Sequence, residues 1–200
     1  MAQRISPQRK TAVTAIMSAL ATALMYIEIS VPIMPAFIKL DISELPALIT
    51  AFAYGPWYGV LVCLIKNLIH LPFTSTMCVG ELSNFILGAI FVCIAGLFYK
   101  KKRNRKSAFI GSLVGDLAMA VLGFFTNCFI VYPIYAKIMI PMEAILGMYQ
   151  AILPSVDSIW KAVLIFNVPF TFVKGLISVA ITFLIYHKIS PVLKGKSLDK

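Results

Sequence analysis

Charge is scarce in this chain. Only 13% of its 200 residues are Asp, Glu, Lys or Arg, and just 8 of these are acidic. A water-soluble domain carries about 25%, so the surface a soluble protein needs cannot be built from this composition. Histidine occurs twice and cysteine four times (Cys63, Cys78, Cys93, Cys128), with no CxxC pair. That excludes a zinc site and a disulfide framework. A nucleotide-binding loop is missing too. "LKGKS" resembles the end of one, but Ser190 stands where its first glycine belongs. HExxH and GxSxG are absent, and no nucleophile sits beside a base. No catalytic or metal site is expected. The 4 arginines (Arg4, Arg9, Arg103, Arg105) all lie outside the apolar segments.

What is present is hydrocarbon. Hydrophobic residues make up 60% of the chain, and the mean hydropathy is +0.90. Both mark an integral membrane protein. The basic start "MAQRISPQRK" leads into an apolar stretch long enough to span and lacking a convincing cleavage site, so it reads as a first span. Six apolar segments follow one another: Thr11–Ile27, Leu45–Tyr54, Tyr58–Leu71, Gly80–Phe98, Ala108–Tyr135 and Trp160–Tyr186. A straight crossing takes about 20 residues. The second and third are short and are expected to tilt or pack inside the bundle. The fifth exceeds one bilayer core, so it should tilt or break, with Gly123 and Pro133 as candidate weak points.

Basic residues set the expected orientation. Arg4, Arg9 and Lys10 precede the first span, "KKKRNRK" (Lys100–Lys106) joins the fourth to the fifth, and Lys188, Lys194, Lys196 and Lys200 follow the sixth. Six crossings put all three clusters on one side, which the positive-inside rule makes the cytoplasm. The net charge of +10 is therefore topology and does not imply nucleic acid. The expected domains are a basic cytoplasmic segment (1–10), a six-helix membrane domain (11–187) and a basic cytoplasmic tail (188–200). The outer loops become 28–44, 72–79 and 136–159, rich in Pro and aromatics that either anchor at the interface or lid a pocket.

Polar residues inside the spans are the candidate functional groups. Glu81 and Asn84 share one face at the outer end of the fourth span. Asn127 lies in the fifth. Asn167, Thr171 and Lys174 follow i, i+4, i+7 spacing on the sixth. A lysine as deep as Lys174 costs about 2.5–3.5 kcal/mol on insertion scales and by default marks function; the plainer reading is a salt bridge to Asp116 or Glu81. Lys66 and Asn67 lie nearer a span end and fit a pocket or a snorkelling role equally. Asp116 reads as a helix-packing partner. On the first span Thr11, Ala15, Ala19 and Ala23 recur every fourth residue, a small-residue stripe that permits close helix approach.

Several stretches carry a family resemblance: "KLDISELPALI", "GPWYGVLVCLIKNLIH", "GELSNFILG", "NCFIVYPIYAK" and "PFTFVKGLI". In this order they resemble the riboflavin-specific substrate-binding S components of energy-coupling factor (ECF) transporters. The resemblance implies an all-α membrane protein of six transmembrane helices in the cytoplasmic membrane, both termini inside. It implies a riboflavin pocket near the outer face, a membrane scaffold partner (T component) and two cytoplasmic ATPases, and neither enzyme activity nor a cofactor. Ala15, Ala19 and Ala23 match the family's scaffold-contacting motif. Lys174 matches the Lys of its Asn-x-x-Lys motif, Asn127 matches a pocket asparagine, and Thr171 replaces the motif's Asn. The expected ligand-binding set is Leu40, Asp41, Glu81, Asn84, Asn127, Tyr132, Tyr135, Thr171 and Lys174. Other readings are an S component for folate, thiamin, pantothenate or a flavin nucleotide, an intramembrane enzyme using Glu81 or Asp116 with Lys174, and a ligand-free structural subunit. A phosphate would want an arginine cluster or a helix N-terminus, and no Arg lies in an outer loop or span.

Overall fold

A computed structural model describes residues 6–35 and 37–193, and side chains through Tyr186 and at Ile189. Arg4, Lys194, Lys196 and Lys200, four of the seven basic residues in the terminal clusters, lie outside the described residues, as do the side chains of His187 and Lys188.

Helix α1 (Pro7–Tyr26) starts on Ser6, whose hydroxyl accepts from the Arg9 N–H, with Pro7 in the first turn where its missing donor costs nothing. Thr14, Ser18 and Thr22 face inward, and each hydroxyl donates to the carbonyl four residues back, at 2.7–2.8 Å. The inner face thus buries polar side chains without orphaned donors. The stripe Thr11, Ala15, Ala19, Ala23 is exposed on the opposite face, away from the bundle.

The first connecting loop is not purely irregular. Ile29–Ser30 (β1) and Lys39–Leu40 (β2) pair antiparallel, Ile29 opposite Leu40. Helices α2 (Glu44–Tyr54) and α3 (Pro56–His70) form a hairpin hinged at Gly55, whose φ of 111° suits a residue without a Cβ. Helix α4 (Val79–Lys101) is followed by α5 (Arg105–Thr126), capped by Asn104 Oδ1 accepting from Ser107 N–H at 2.7 Å. Helix α6 (Tyr132–Ile138) continues α5, and α7 (Met142–Gln150) lies in what the sequence reads as an outer loop. A short turn α8 (Ile159–Ala162) leads into α9 (Val168–Leu193).

Two helices change pitch, each for the same reason. Asn127–Val131, between α5 and α6, and Val163–Asn167, between α8 and α9, are π-helical turns. They close through Tyr132 N–H to Asn127 O and Val168 N–H to Val163 O, each spanning five residues. Pro133 and Pro169 follow each turn at the same offset. A proline lacks the donor and crowds the carbonyl four residues earlier, so the ladder slips to the wider pitch. The expected break in the fifth segment is therefore at Pro133. Gly123 is not a kink; it packs against Leu87 and Thr171.

Among the described residues, three continuous helices, Val79–Lys101, Arg105–Ile138 and Ile159–Tyr186, are long and apolar enough to cross a membrane. Large apolar side chains such as Leu117, Phe129, Leu164 and Leu184 face outward. Inside there are two cores. One joins α1–α5 and α9 around Leu48, Phe52, Val62 and Phe91. The other joins α6, α7 and the π turns around Tyr132, Ile145, Tyr149 and Val163. Small residues let backbones approach. A Cβ on Gly115 would stand 2.6 Å from the Phe91 carbonyl oxygen, which belongs to the facing helix backbone and cannot rotate aside.

Gly115→Ala is therefore expected to destabilise the α4–α5 contact by roughly 1–3 kcal/mol, read as a lower thermal unfolding midpoint in detergent. Gly147→Ala on α7, whose Cβ meets nothing within 4 Å, should leave that midpoint unchanged or raise it slightly.

Candidate functional site

Where the two cores meet, a cleft of about 780 Å³, counting its open mouth, is framed by the β2 region, α4, both π turns, α6 and α9. Its apolar surfaces include Phe37, Ile38, Leu87, Met119, Phe170 and the rings of Tyr132 and Tyr135. Its polar groups are Lys39, Glu44, Asn84, Asn127, Asn167, Thr171 and Lys174 among others. The π turns place Asn127 and Asn167 on this wall.

Beneath the cleft lies a buried ionic network. Lys174 Nζ on α9 donates to Asp41 Oδ2 at 2.8 Å and stands 3.4 Å from Glu44 Oε1. Lys66 Nζ on α3, fully buried, donates to the same Glu44 oxygen at 3.1 Å and to Ser43 Oγ. Ser43 donates in turn, through its hydroxyl and at 2.9 Å its N–H, to Asp41 Oδ1. Two ammonium groups meet two carboxylates, so the cluster is neutral. Burial alone would raise the Asp41 carboxyl, but the Lys174 and Lys66 charges and the hydrogen bonds outweigh it and hold that group well below the usual carboxylate range.

A second closed network borders the cleft. Asn167 Nδ2 donates to Tyr132 Oη at 2.6 Å, Tyr132 pairs with the Tyr149 hydroxyl, and Tyr149 donates to Asn167 Oδ1 at 2.6 Å. Read in one direction around the ring, each group gives one hydrogen and takes one. It ties α7 to α6 and to the second π turn, and so holds the aromatic wall in place.

Comparison with known proteins identifies the fold. The sequence model described as ECF transporter, substrate-specific component, matches residues 9–186. The chain belongs to this family of ECF substrate-specific components. It is 30% identical over 188 residues to the riboflavin transporter RibU of Staphylococcus aureus (strain TCH60), covering 94% of each chain. It is 28% identical to the riboflavin transporter FmnP of Bacillus subtilis (strain 168), covering 92% of this chain and 93% of that one. A solved structure described as "Structure and mechanism of the S component of a bacterial ECF transporter" superposes with a TM-score of 0.75 at 28% identity, over 94% of this chain and 99% of the other. These relatives are transporters and transporter components, not enzymes.

Within this ECF component, six of the nine residues expected to bind ligand line one cleft: Asn84, Asn127, Tyr132, Tyr135, Thr171 and Lys174. Three do not. Asp41 lies under the cleft, paired with Lys174. Leu40 is not among the lining residues, whereas its neighbours Phe37, Ile38 and Lys39 are. Glu81 turns to the 71–78 connection, where it accepts from Thr74 at 2.8 Å and Thr76 at 3.1 Å and pairs with His70 Nδ1 at 2.8 Å. It serves as a loop anchor, and Asn84, one turn further on, faces the cleft without it.

Neither expected partner of Lys174 is its partner: Glu81 is held by the 71–78 connection, and Asp116 has no hydrogen-bond partner for either carboxylate oxygen among the described residues. Asp116 is buried against α9, where a Cβ on Gly175 would overlap its carboxylate. Lys66 is neither a pocket wall nor snorkelling but a member of the ionic network. Glu44 is the residue the sequence reading missed. A count of charges signals it: two buried lysines need two carboxylates, and Glu44 opens an otherwise apolar helix.

Lys174→Ala leaves Asp41 facing one fewer cation, and truncating one member of a buried pair typically costs about 3–5 kcal/mol. The thermal midpoint should fall sharply, and Asp41→Asn combined with Lys174→Met should recover part of the loss, since no charge is then left alone. The pH dependence has a definite sign. A carboxyl lowered in the folded state contributes stability above its unfolded value of about 3.9 and loses it as pH falls below that. Asp41 should therefore leave stability flat between about pH 5 and 8 and weaken it only in stronger acid, which thermal melts across pH will measure against Asp41→Asn.

Proposed function

We propose that this chain binds riboflavin and serves as the substrate-specific subunit of an ATP-driven ECF transporter importing it. The observation that carries the reading is the cleft, which sets an aromatic wall against a few amide, hydroxyl and charged groups on a family fold whose relatives are named riboflavin transporters. A flat tricyclic ring with a hydrogen-bonding edge and a hydroxylated tail, carrying no net charge, fits such a wall. Asn127, Thr171 and Lys174 are assigned to its polar parts, Tyr132, Tyr135 and Phe37 to its ring.

Charge favours riboflavin over its nucleotides. The lysines at the cleft are already matched, Lys39 with Glu28 at 2.9 Å and Lys174 with Asp41 at 2.8 Å. A phosphate entering here would have to displace a carboxylate. Thr171, in place of the motif's Asn, keeps one donor and one acceptor with shorter reach.

The chain is taken to cross the cytoplasmic membrane six times, through α1, α2, α3, α4, the α5–α6 helix and the α8–α9 helix. Both termini are then cytoplasmic, with 1–10 and 188–200 as basic flanks to the membrane domain 11–187. The described basic residues Arg9, Lys10 and Lys100–Lys106 fall at ends that this threading puts on one side. The outward Ala15, Ala19 and Ala23 stripe supports docking of a scaffold helix, because small residues exposed to lipid leave a groove for another backbone. The scaffold and two ATPases would convert ATP hydrolysis into release inside, by tilting this subunit in the bilayer.

Protein purified in detergent from a riboflavin-replete host should release a stoichiometric yellow, fluorescent flavin on denaturation, identified as riboflavin by chromatography. A colourless protein that also fails to quench added riboflavin at micromolar concentration overturns the assignment, and folate, thiamin and pantothenate become the ligands to test.

A further inference from the structure

Two acceptors at the cleft have no hydrogen-bond partner among the described residues. They are Glu44 Oε2 and Asn84 Oδ1, both buried from solvent. Both residues line the cleft. Glu44 is 2% exposed, and its other oxygen already serves Lys66 and Lys174. The two residues are placed about one helical turn apart along α4 by the Glu44 carboxylate's contact with Gly88. The Cβ position of Gly88 on α4 is 3.8 Å from Glu44 Oε1, and Asn84 is one turn, about 6 Å, away along the same face.

Buried acceptors left unpaired are costly, so a ligand that supplies donors is favoured over one that does not. An imide edge suits this pair poorly, since its single N–H is flanked by two carbonyls that a carboxylate would repel. It suits Asn127, whose amide offers both a donor and an acceptor. A polyol chain presents a donor at every carbon, and oxygens two or three carbons apart match the spacing along α4. Resting on the riboflavin reading, we infer that Glu44 and Asn84 form a two-acceptor subsite for the hydroxyl groups of the ribityl chain. The chain lies along α4, and the ring is directed toward Asn127 and the aromatic wall. The subsite selects ribityl flavins over the bare ring system.

The test measures binding of riboflavin and of lumiflavin, which carries a methyl group in place of the ribityl chain, by fluorescence quenching in detergent. The wild type should prefer riboflavin. Asn84→Ala should weaken riboflavin by about tenfold and Glu44→Gln by at least as much, while lumiflavin changes less than about twofold. Retained lumiflavin binding also reports a folded variant; should Glu44→Gln fail to fold, Asn84→Ala, outside the ionic network, decides alone. Equal losses for both ligands, or an unchanged riboflavin affinity, overturn the inference. A wild type that binds lumiflavin as tightly as riboflavin overturns the subsite and leaves the flavin reading standing. A wild type that binds neither overturns both.

Discussion

An ammonium group in a low-dielectric interior needs a carboxylate within reach, and this chain holds two there, on Lys66, fully buried, and on Lys174, largely buried. Their partners are Asp41, just after the β ladder, and Glu44, the first residue of α2. The network therefore joins three parts of the chain that share no helix: α3, α9 and the 41–44 stretch that leads into α2. With the segment pinned, Phe37, Ile38 and Lys39 are carried onto the cleft wall. Removing the network would free the loop that lines the cleft as well as leave charge uncompensated. The stability of the bundle and the shape of the cleft rest on the same four side chains.

The opposite wall depends on backbone pitch. Pro133 and Pro169 each force the preceding turn wide, and each wide turn carries an asparagine. Asn167 is then locked by the ring with Tyr132 and Tyr149, which takes up both tyrosine hydroxyl hydrogens and one of the two amide hydrogens. Asn127 is left with no such ring and keeps its amide for the cleft. One amide is spent on rigidity and the other is available for recognition, although both arise from the same local cause.

Much of this was legible in the sequence. Apolar length and scarce charge are local properties, so the helices appear close to where hydropathy puts them. Asn127, Thr171 and Lys174 stood out because a polar group in a lipid-facing run is costly wherever it points. Pairing was not legible. Lys174 and Asp41 are 133 residues apart, and no spacing rule connects them. Glu81 had the composition of a pocket residue, but three nearby hydroxyl and imidazole groups claimed it first. Ile38 lines the cleft and Leu40, two residues on, does not, a difference no local pattern announced. Glu44 went unread because an acidic residue opening a helix already has a sufficient local explanation in the helix dipole.

The sequence alone determined the medium, the approximate helices, a weak point in the fifth segment and the small-residue stripe on α1. Each follows from transfer energies or backbone sterics that act within one segment. Only the tertiary structure decided which carboxylates neutralise the two buried lysines, which side of the first connecting loop faces the cleft, and which polar atoms remain unpaired there. Those outcomes are competitions among distant groups for the same few partners, and helix packing settles them.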